Sequence, residues 1–361
     1  MRKVKIGDGL PTKQEAKPMA KFEFKEVLGK LTEHQELSKA DIEGVIGGMA
    51  NGEMSDVRIA GFLMALLMKG PTNNEIAGIA HSMREAAIPI RPNVDGPLID
   101  TCGTGGGKTT FNVSTANAIV SAAAGAYVAK HGSDSISSKC GSANVLRELG
   151  VNIELPPAKL EKLIEEVGIG FIYAPRFHPV MGKVFGPENE LGIKSIFFTI
   201  IGPLISPADT KRHVLGVYKP ELVDKVAEVA NRLGFEHALV VHGMNGLDEI
   251  SLLGETQIAE VKNGKIEKYT VKPEDYDMRR CTIDEIAGGT PEENALIIRN
   301  VFSGQERGPK RDIVVLNTAG SLLVADMVQS LQEGVRLAEE TIDSGKAASK
   351  LEELIQVSNR L

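Results

Sequence analysis

Leu98-Ile-Asp-Thr-Cys-Gly-Thr-Gly-Gly-Gly-Lys-Thr-Thr-Phe-Asn-Val-Ser-Thr115 is the stretch on which the fold turns. A short apolar run, Leu98–Asp100, enters a glycine loop, and a helix is expected from about Ser114. Gly103, Gly105, Gly106 and Gly107 carry no Cβ, so this backbone can take φ > 0 and its N–H groups can curl around an oxyanion. The helix N-terminus behind it supplies further free N–H groups and a partial positive charge. Asn112, Ser114 and Thr115 add side-chain donors at that point. A tight strand–helix turn with an ordinary hydroxyl cap is the competing reading. The run is neither GxGxxG nor GxxxxGK[ST], which weakens Rossmann and P-loop NTPase assignments.

Strand-like runs continue to alternate with helical ones downstream. Tyr127–Ala129, Phe171–Tyr173, Ala238–Val241 and Ile313–Leu316 read as strands. Val145–Leu149, Leu160–Val167, Leu222–Leu233 and Thr318–Ser344 read as helical. Such alternation predicts an α/β fold with a mostly parallel sheet covered on both faces. Lys262–Lys272, with Asn263-Gly264 at its centre, predicts a surface hairpin.

Upstream the pattern is helical. Phe22, Phe24, Val27 and Leu28 form one apolar face. Ser38, Ser55 and Thr72 are expected N-caps, and Asn51-Gly52 and Lys69-Gly70-Pro71 are stops. Four helices without a strand make a small all-α unit ending near Pro92. Residues 1–20, polar and with two prolines, are expected to form a flexible leader.

Composition bounds the function. The chain has 361 residues with 42% hydrophobic and 25% charged, the balance of a globular protein. A net charge of −7 argues against a dedicated nucleic-acid binder. It leaves room for a small anion held by local N–H groups and lysines. No apolar run reaches the ~18 residues of a membrane span. Cys102, Cys140 and Cys281 form no CxxC pair, which suits a reducing cytoplasm.

Three further segments carry candidate chemistry. Lys130-His-Gly-Ser-Asp-Ser-Ile-Ser-Ser-Lys-Cys-Gly-Ser142 follows a strand, where α/β ligand loops belong. Its lysines and serines suit a polyanion, although a solvated polar loop would look similar. His242-Gly-Met-Asn-Gly-Leu-Asp-Glu249 places adjacent carboxylates after a strand, a pattern that suits Mg²⁺ bridging to phosphates. An acidic helix start is the alternative. Ala174–Met181 and Gly202–Ala208 are loops whose path proline fixes, and His178 between Phe177 and Pro179 reads as a structural histidine or a ligand contact.

Together with FLMALLMKGPTNNEIAG, LGIKSIFF and GPLISPA, these segments resemble the anthranilate phosphoribosyltransferase family over about Phe22 to Ala348. The resemblance implies a small helical domain over 21–93, joined by part of 176–215, and a large α/β domain over 97–361. It implies a cytoplasmic homodimer formed through the small domain. It also implies Mg²⁺-dependent transfer of phosphoribose from phosphoribosyl diphosphate to an aromatic amine, in tryptophan biosynthesis, with no nucleic-acid or membrane partner. By position, Gly103, Thr104, Gly105, Gly106, Asn112, Ser114, Thr115, Lys130 and Ser142 would hold phosphoribosyl diphosphate. Ser114, Asp248 and Glu249 would be metal ligands. His131, Gly132, Ser133 and Glu188 would face the acceptor, and Lys130 and His131 would support catalysis by position and charge.

The sequence departs from the family pattern at several points. The glycine loop is one residue shorter. Ser133 stands for an asparagine and Asp134 for a basic residue. Glu188 stands where the family has the arginine that binds the acceptor carboxylate, with Arg176, Lys183 and Lys194 as candidate replacements. An extra residue precedes Gly202-Pro203. Two other enzyme readings therefore stay open, namely a different aromatic or nitrogenous acceptor, and a nucleoside phosphorylase, against which the Asp248-Glu249 pair counts.

Overall fold

The computed structural model describes residues 22–108, 110–135 and 139–361. The leader expected over residues 1–20 lies outside the described residues.

Helices α1 (Phe24–Thr32), α2 (Lys39–Ala50), α3 (Asp56–Lys69) and α4 (Asn73–Glu85) come first. The three expected caps are made: Ser38 Oγ accepts from the Asp41 N–H, Ser55 Oγ from Arg58 and Thr72 Oγ1 from Glu75. Each satisfies one otherwise orphaned helix donor. Glu75 also reaches into the bundle. Its carboxylate accepts from the Leu37 and Thr72 N–H groups and pairs with Lys69 Nζ at 2.6 Å. Both side chains are almost fully buried.

The α/β portion runs β1 (Leu98–Asp100), α5 (Val113–Ala123), β2 (Tyr127–Gly132), α6 (Ser142–Glu148), α7 (Pro157–Val167) and β3 (Ile169–Tyr173). Then come α8 (Ala174–Phe177), α9 (Pro179–Leu191), β4 (Arg212–Gly216), α10 (Glu221–Arg232), β5 (His237–Gly243), β6 (Thr256–Lys262) and β7 (Lys265–Val271). The chain ends with α11 (Pro291–Phe302), α12 (Pro309–Val324), α13 (Leu331–Asp343) and α14 (Lys346–Arg360).

The sheet has seven strands in the order β3-β2-β1-β4-β5-β6-β7. β3, β2, β1, β4 and β5 are parallel, and β6 and β7 are antiparallel. From β1 the chain builds outward to β2 and β3 on one side and later to β4 and β5 on the other. The loops after β1 and β4 thus diverge at a switch point, where α/β sheets open a ligand crevice. One apolar cluster covers the sheet face under α5 and α12. A second joins α1–α4, α9 and α10 to the opposite face.

Two expectations fail on α12. Ile313–Leu316, read as a strand, lies inside this helix, and Thr318–Ser344 is two helices separated near Ala325. Every residue from Ile313 to Val324 is buried. A helix buried all round shows no amphipathic period, so its apolar run looks like a central strand. The hairpin is present, with Asn263 and Gly264 both at positive φ. β4 shows no clear signal, because Arg212 and His213 interrupt its apolar run.

The Lys69–Glu75 pair gives a stability test. Glu75→Ala leaves a buried ammonium and two backbone donors unmatched, and is expected to cost about 3–5 kcal/mol in urea unfolding. A loss below about 1 kcal/mol would be the behaviour of an exposed pair and would contradict the burial seen here.

Candidate active site at the switch point

Three loops meet at the carboxyl ends of β1, β4 and β5, held by backbone. The Thr104 N–H donates to the Gly216 carbonyl at 2.8 Å, and the Lys108 N–H to Gly246 at 2.8 Å. Gly105 and Gly106 take φ of 63° and 86°, which L side chains rarely adopt. A Cβ at Gly103 would lie 3.2 Å from Asp248 Oδ2, and one at Gly107 3.1 Å from Asp248 Oδ1. The bare loop therefore lies directly against the Asp248 carboxylate.

The neighbouring side chains converge on the start of α5. Lys130 is buried, and its Nζ lies 3.3 Å from Ser114 Oγ and 3.5 Å from Thr101 Oγ1. Burial pulls its pKa below the usual lysine value, while Asp100 and Glu249 nearby oppose that shift. Thr115 is buried, with its hydroxyl unpartnered. Asn112 precedes α5 but does not cap it. Its Nδ2 donates to the Cys140 carbonyl and its Oδ1 accepts from Asn294. The asparagine thus ties the glycine loop to the serine loop. In that loop Ser142 Oγ donates to the Ser133 carbonyl, and a Cβ at Gly132 would clash with Ser142 Oγ and the Phe171 ring. Ser137 and Ser138 lie outside the described residues.

Asp248 and Glu249 are half-buried. Burial raises the pKa of both above the usual carboxylate range, and Asp248 raises Glu249 further by repulsion. Thr110 Oγ1 lies 3.3 Å from Glu249 Oε2. The two carboxylates repel each other and offer only oxygen donors, which suits a hard cation. Among the described residues no cluster of three or more His, Cys, Asp or Glu could hold a metal by itself.

On the other side of β2, the His131 and His178 rings meet, Nε2 to Nε2 at 3.0 Å, and both are buried. Burial lowers His131 to about 4 and takes His178 well below its ordinary value, so both are neutral at pH 7. The His131 N–H donates to Asp100, a buried carboxylate that also accepts from the Thr101 N–H. Asp134 is turned away into a network with Arg147 Nη1 at 2.5 Å, Asn144 Nδ2 at 3.0 Å and the Tyr173 hydroxyl. Asp134 is thus matched by α6 and the end of β3.

Glu188, at the end of α9, is buried, and Oε1 accepts from the Ser195 N–H at 2.6 Å. Burial raises its pKa, while Ser195 opposes that shift. Phe197–Ile201 just beyond is a π-helical turn ending at Gly202. Arg176 pairs weakly with Glu154 at 3.9 Å, and Lys183 and Lys194 are exposed.

Residues 95–348 match the a/b domain of a glycosyl transferase family, and residues 25–87 match its helical bundle domain. Anthranilate phosphoribosyltransferase of Acetivibrio thermocellus is 50% identical over 337 residues, covering 93% of this chain and 97% of that protein. The Petrotoga mobilis enzyme is 48% identical, covering 94% and 98%. The chain belongs to the anthranilate phosphoribosyltransferase family. The crystal structure of the Thermus thermophilus enzyme superposes with a TM-score of 0.86 at 41% identity, over 92% of this chain and 99% of that one. The Saccharomyces cerevisiae enzyme in complex with PRPP and Mg gives 0.85 at 28% identity, over 94% and 98%. The protein is accordingly a pentosyltransferase-class enzyme.

The sequence reading passed over several residues of the site. Asp100 pins the His131 backbone, Thr110 meets Glu249, and Asn294 holds Asn112. An aspartate closing an apolar strand is the one legible signal among them. The others depend on segments distant in the chain.

The paired imidazoles make a pH test. A histidine with a depressed folded pKa contributes stability above the unfolded value near 6.5 and loses it as pH falls toward the folded value. Between pH 6.5 and about 4 the wild type is expected to lose more stability than His178→Gln, measured by urea unfolding at each pH. Parallel pH profiles for the two proteins would show that these rings are not buried neutral.

Proposed function

We propose that this enzyme moves the 5-phosphoribosyl group from phosphoribosyl diphosphate to the amine of anthranilate, releasing diphosphate, with the residues at the switch point in specified roles. The observation that carries this reading is the approach of the bare Gly103–Gly107 backbone to Asp248, with Lys130 and Ser114 beside it. N–H groups, an ammonium and carboxylates for a metal in one crevice are what a diphosphate leaving group requires.

Gly103, Thr104, Gly105, Gly106, Ser114, Thr115, Lys130 and Ser142 form the donor side. Asn112 acts there through the loops it ties together. Asp248, Glu249 and Ser114 would hold Mg²⁺, which when bound neutralises phosphate charge and orients the diphosphate. The acceptor side comprises His131, Gly132, Ser133 and the turn braced by Glu188. The amine nitrogen bonds to C1 of the ribose as the C1–oxygen bond to diphosphate breaks, and the nitrogen then sheds a proton. An aryl amine is already neutral at pH 7 and needs no strong base before attack. Neutral, buried His131 and His178 are suited to positioning a planar acceptor. Catalysis is then positioning and charge neutralisation.

The same reading extends to the whole molecule. Residues 21–93 with part of 176–215 form the small domain, and 97–361 the large one. A second copy is expected to dock through the small domain of a cytoplasmic homodimer. Val57 and Met68 on α3, 83% and 74% exposed, and Phe185 and Leu191 on α9 support that face. No described helix is long and apolar enough to cross a membrane.

The decisive assay is turnover of anthranilate and phosphoribosyl diphosphate across a Mg²⁺ series. Asp248→Asn with Glu249→Gln is expected to reduce turnover at limiting Mg²⁺ by about a hundredfold or more. An unchanged rate there would remove the metal assignment. Absence of diphosphate release with anthranilate, but release with another aromatic amine, would replace the acceptor.

A further inference from the structure

Asn317 lies in the middle of α12 and is buried. A buried amide must find partners for its carbonyl and both hydrogens. Asn317 Oδ1 accepts from the Ile250 N–H at 2.9 Å. Its Nδ2 donates to the Ile250 carbonyl at 2.9 Å and to the Ile313 carbonyl of its own helix at 2.9 Å. Both backbone groups of Ile250 are therefore held by one side chain, itself anchored to α12.

Ile250 directly follows Asp248 and Glu249 and is fully buried. Its side chain rests on the same helix, since a Cβ at Gly320 would meet Ile250 Cδ1 at 3.0 Å. The acidic segment is thus seated on α12 by backbone and side chain together. On its other flank the Gly243 N–H donates to the Leu247 carbonyl, and the Ser251 N–H donates to Thr256 Oγ1. The helix also packs against α5, which carries Ser114 and Thr115. One rigid element therefore touches both halves of the donor site.

We propose that Asn317 is a positioning residue for the metal-facing carboxylates: by clamping both backbone groups of Ile250 it fixes where Asp248 and Glu249 present their oxygens. The proposal rests on the assignment of those carboxylates to Mg²⁺. Leucine at 317 has the same number of side-chain heavy atoms and the same branching but can make none of the three bonds. Its effect falls on the direction of the carboxylates, because their own atoms are untouched.

Two readouts separate positioning from general damage. The first is the Mg²⁺ concentration for half-maximal activity, set against the KM for anthranilate. The second is Mn²⁺ affinity by electron paramagnetic resonance, with phosphoribosyl diphosphate present and no acceptor, so that no turnover is involved. Asn317→Leu is expected to raise the Mg²⁺ requirement and weaken Mn²⁺ binding by about tenfold or more, with the anthranilate KM changed less than about twofold. Asn317→Ala also removes all three bonds, without placing methyl groups against the Ile250 backbone. It is the second variant should Asn317→Leu not fold, and is expected to shift both readouts in the same direction. Metal readouts at wild-type values in the folded variants, or an anthranilate KM rising in step with the Mg²⁺ requirement, would overturn the proposal. If Asp248→Asn with Glu249→Gln also leaves both metal readouts unmoved, the metal assignment itself fails. If that double variant moves them and the α12 variants do not, only the role of Asn317 fails.

Discussion

The structure depends on how closely backbone approaches backbone where β1, β4 and β5 end. A Cβ at Gly216 would run into the Asp248 carbonyl, and Gly103 and Gly107 lie against the Asp248 carboxylate. Any side chain at these positions would push the loops apart. With the glycines, an N–H-rich loop, a buried lysine and two carboxylates share one crevice. The parallel strand order sets the crevice there, because the chain leaves β1 in one direction and returns through β4 in the other.

The electrostatics of the crevice are unfavourable without a ligand. Lys130 is buried and drawn toward its neutral form, and Asp248 and Glu249 are drawn toward theirs. Under the proposed assignment a diphosphate and its cation would relieve all three penalties at once. Across β2 the environment is different in kind. His131 and His178 are neutral, Asp134 is engaged by Arg147, and Glu188 by the Ser195 N–H. Under the same assignment a planar aromatic acceptor would lie on that quieter side.

The departures from the family pattern become intelligible in three dimensions. Asp134 in place of a basic residue is met by Arg147 and Tyr173. Glu188, expected to stand in place of an arginine, braces the Ser195 N–H, and the chain beyond it winds into a π turn. Only the folded chain brings Asp134 beside Tyr173, 39 positions away.

Local order was legible in the chain itself. Caps at Ser38, Ser55 and Thr72 and the Asn263-Gly264 hairpin rest on contacts within a few residues, and residue type reports these directly. So does the alternation that makes a parallel sheet. Tertiary structure decided the rest. Whether Ile313–Leu316 was strand or helix depended on burial from every side, which erases the period. Asn112 became a tie between loops, His178 became the partner of His131, and Asn317 became the seat of Ile250. Those roles are set by neighbours 28 to 182 positions away in the chain. A sequence displays its nearest neighbours, whereas a buried polar group is defined by whichever partner folding brings to it.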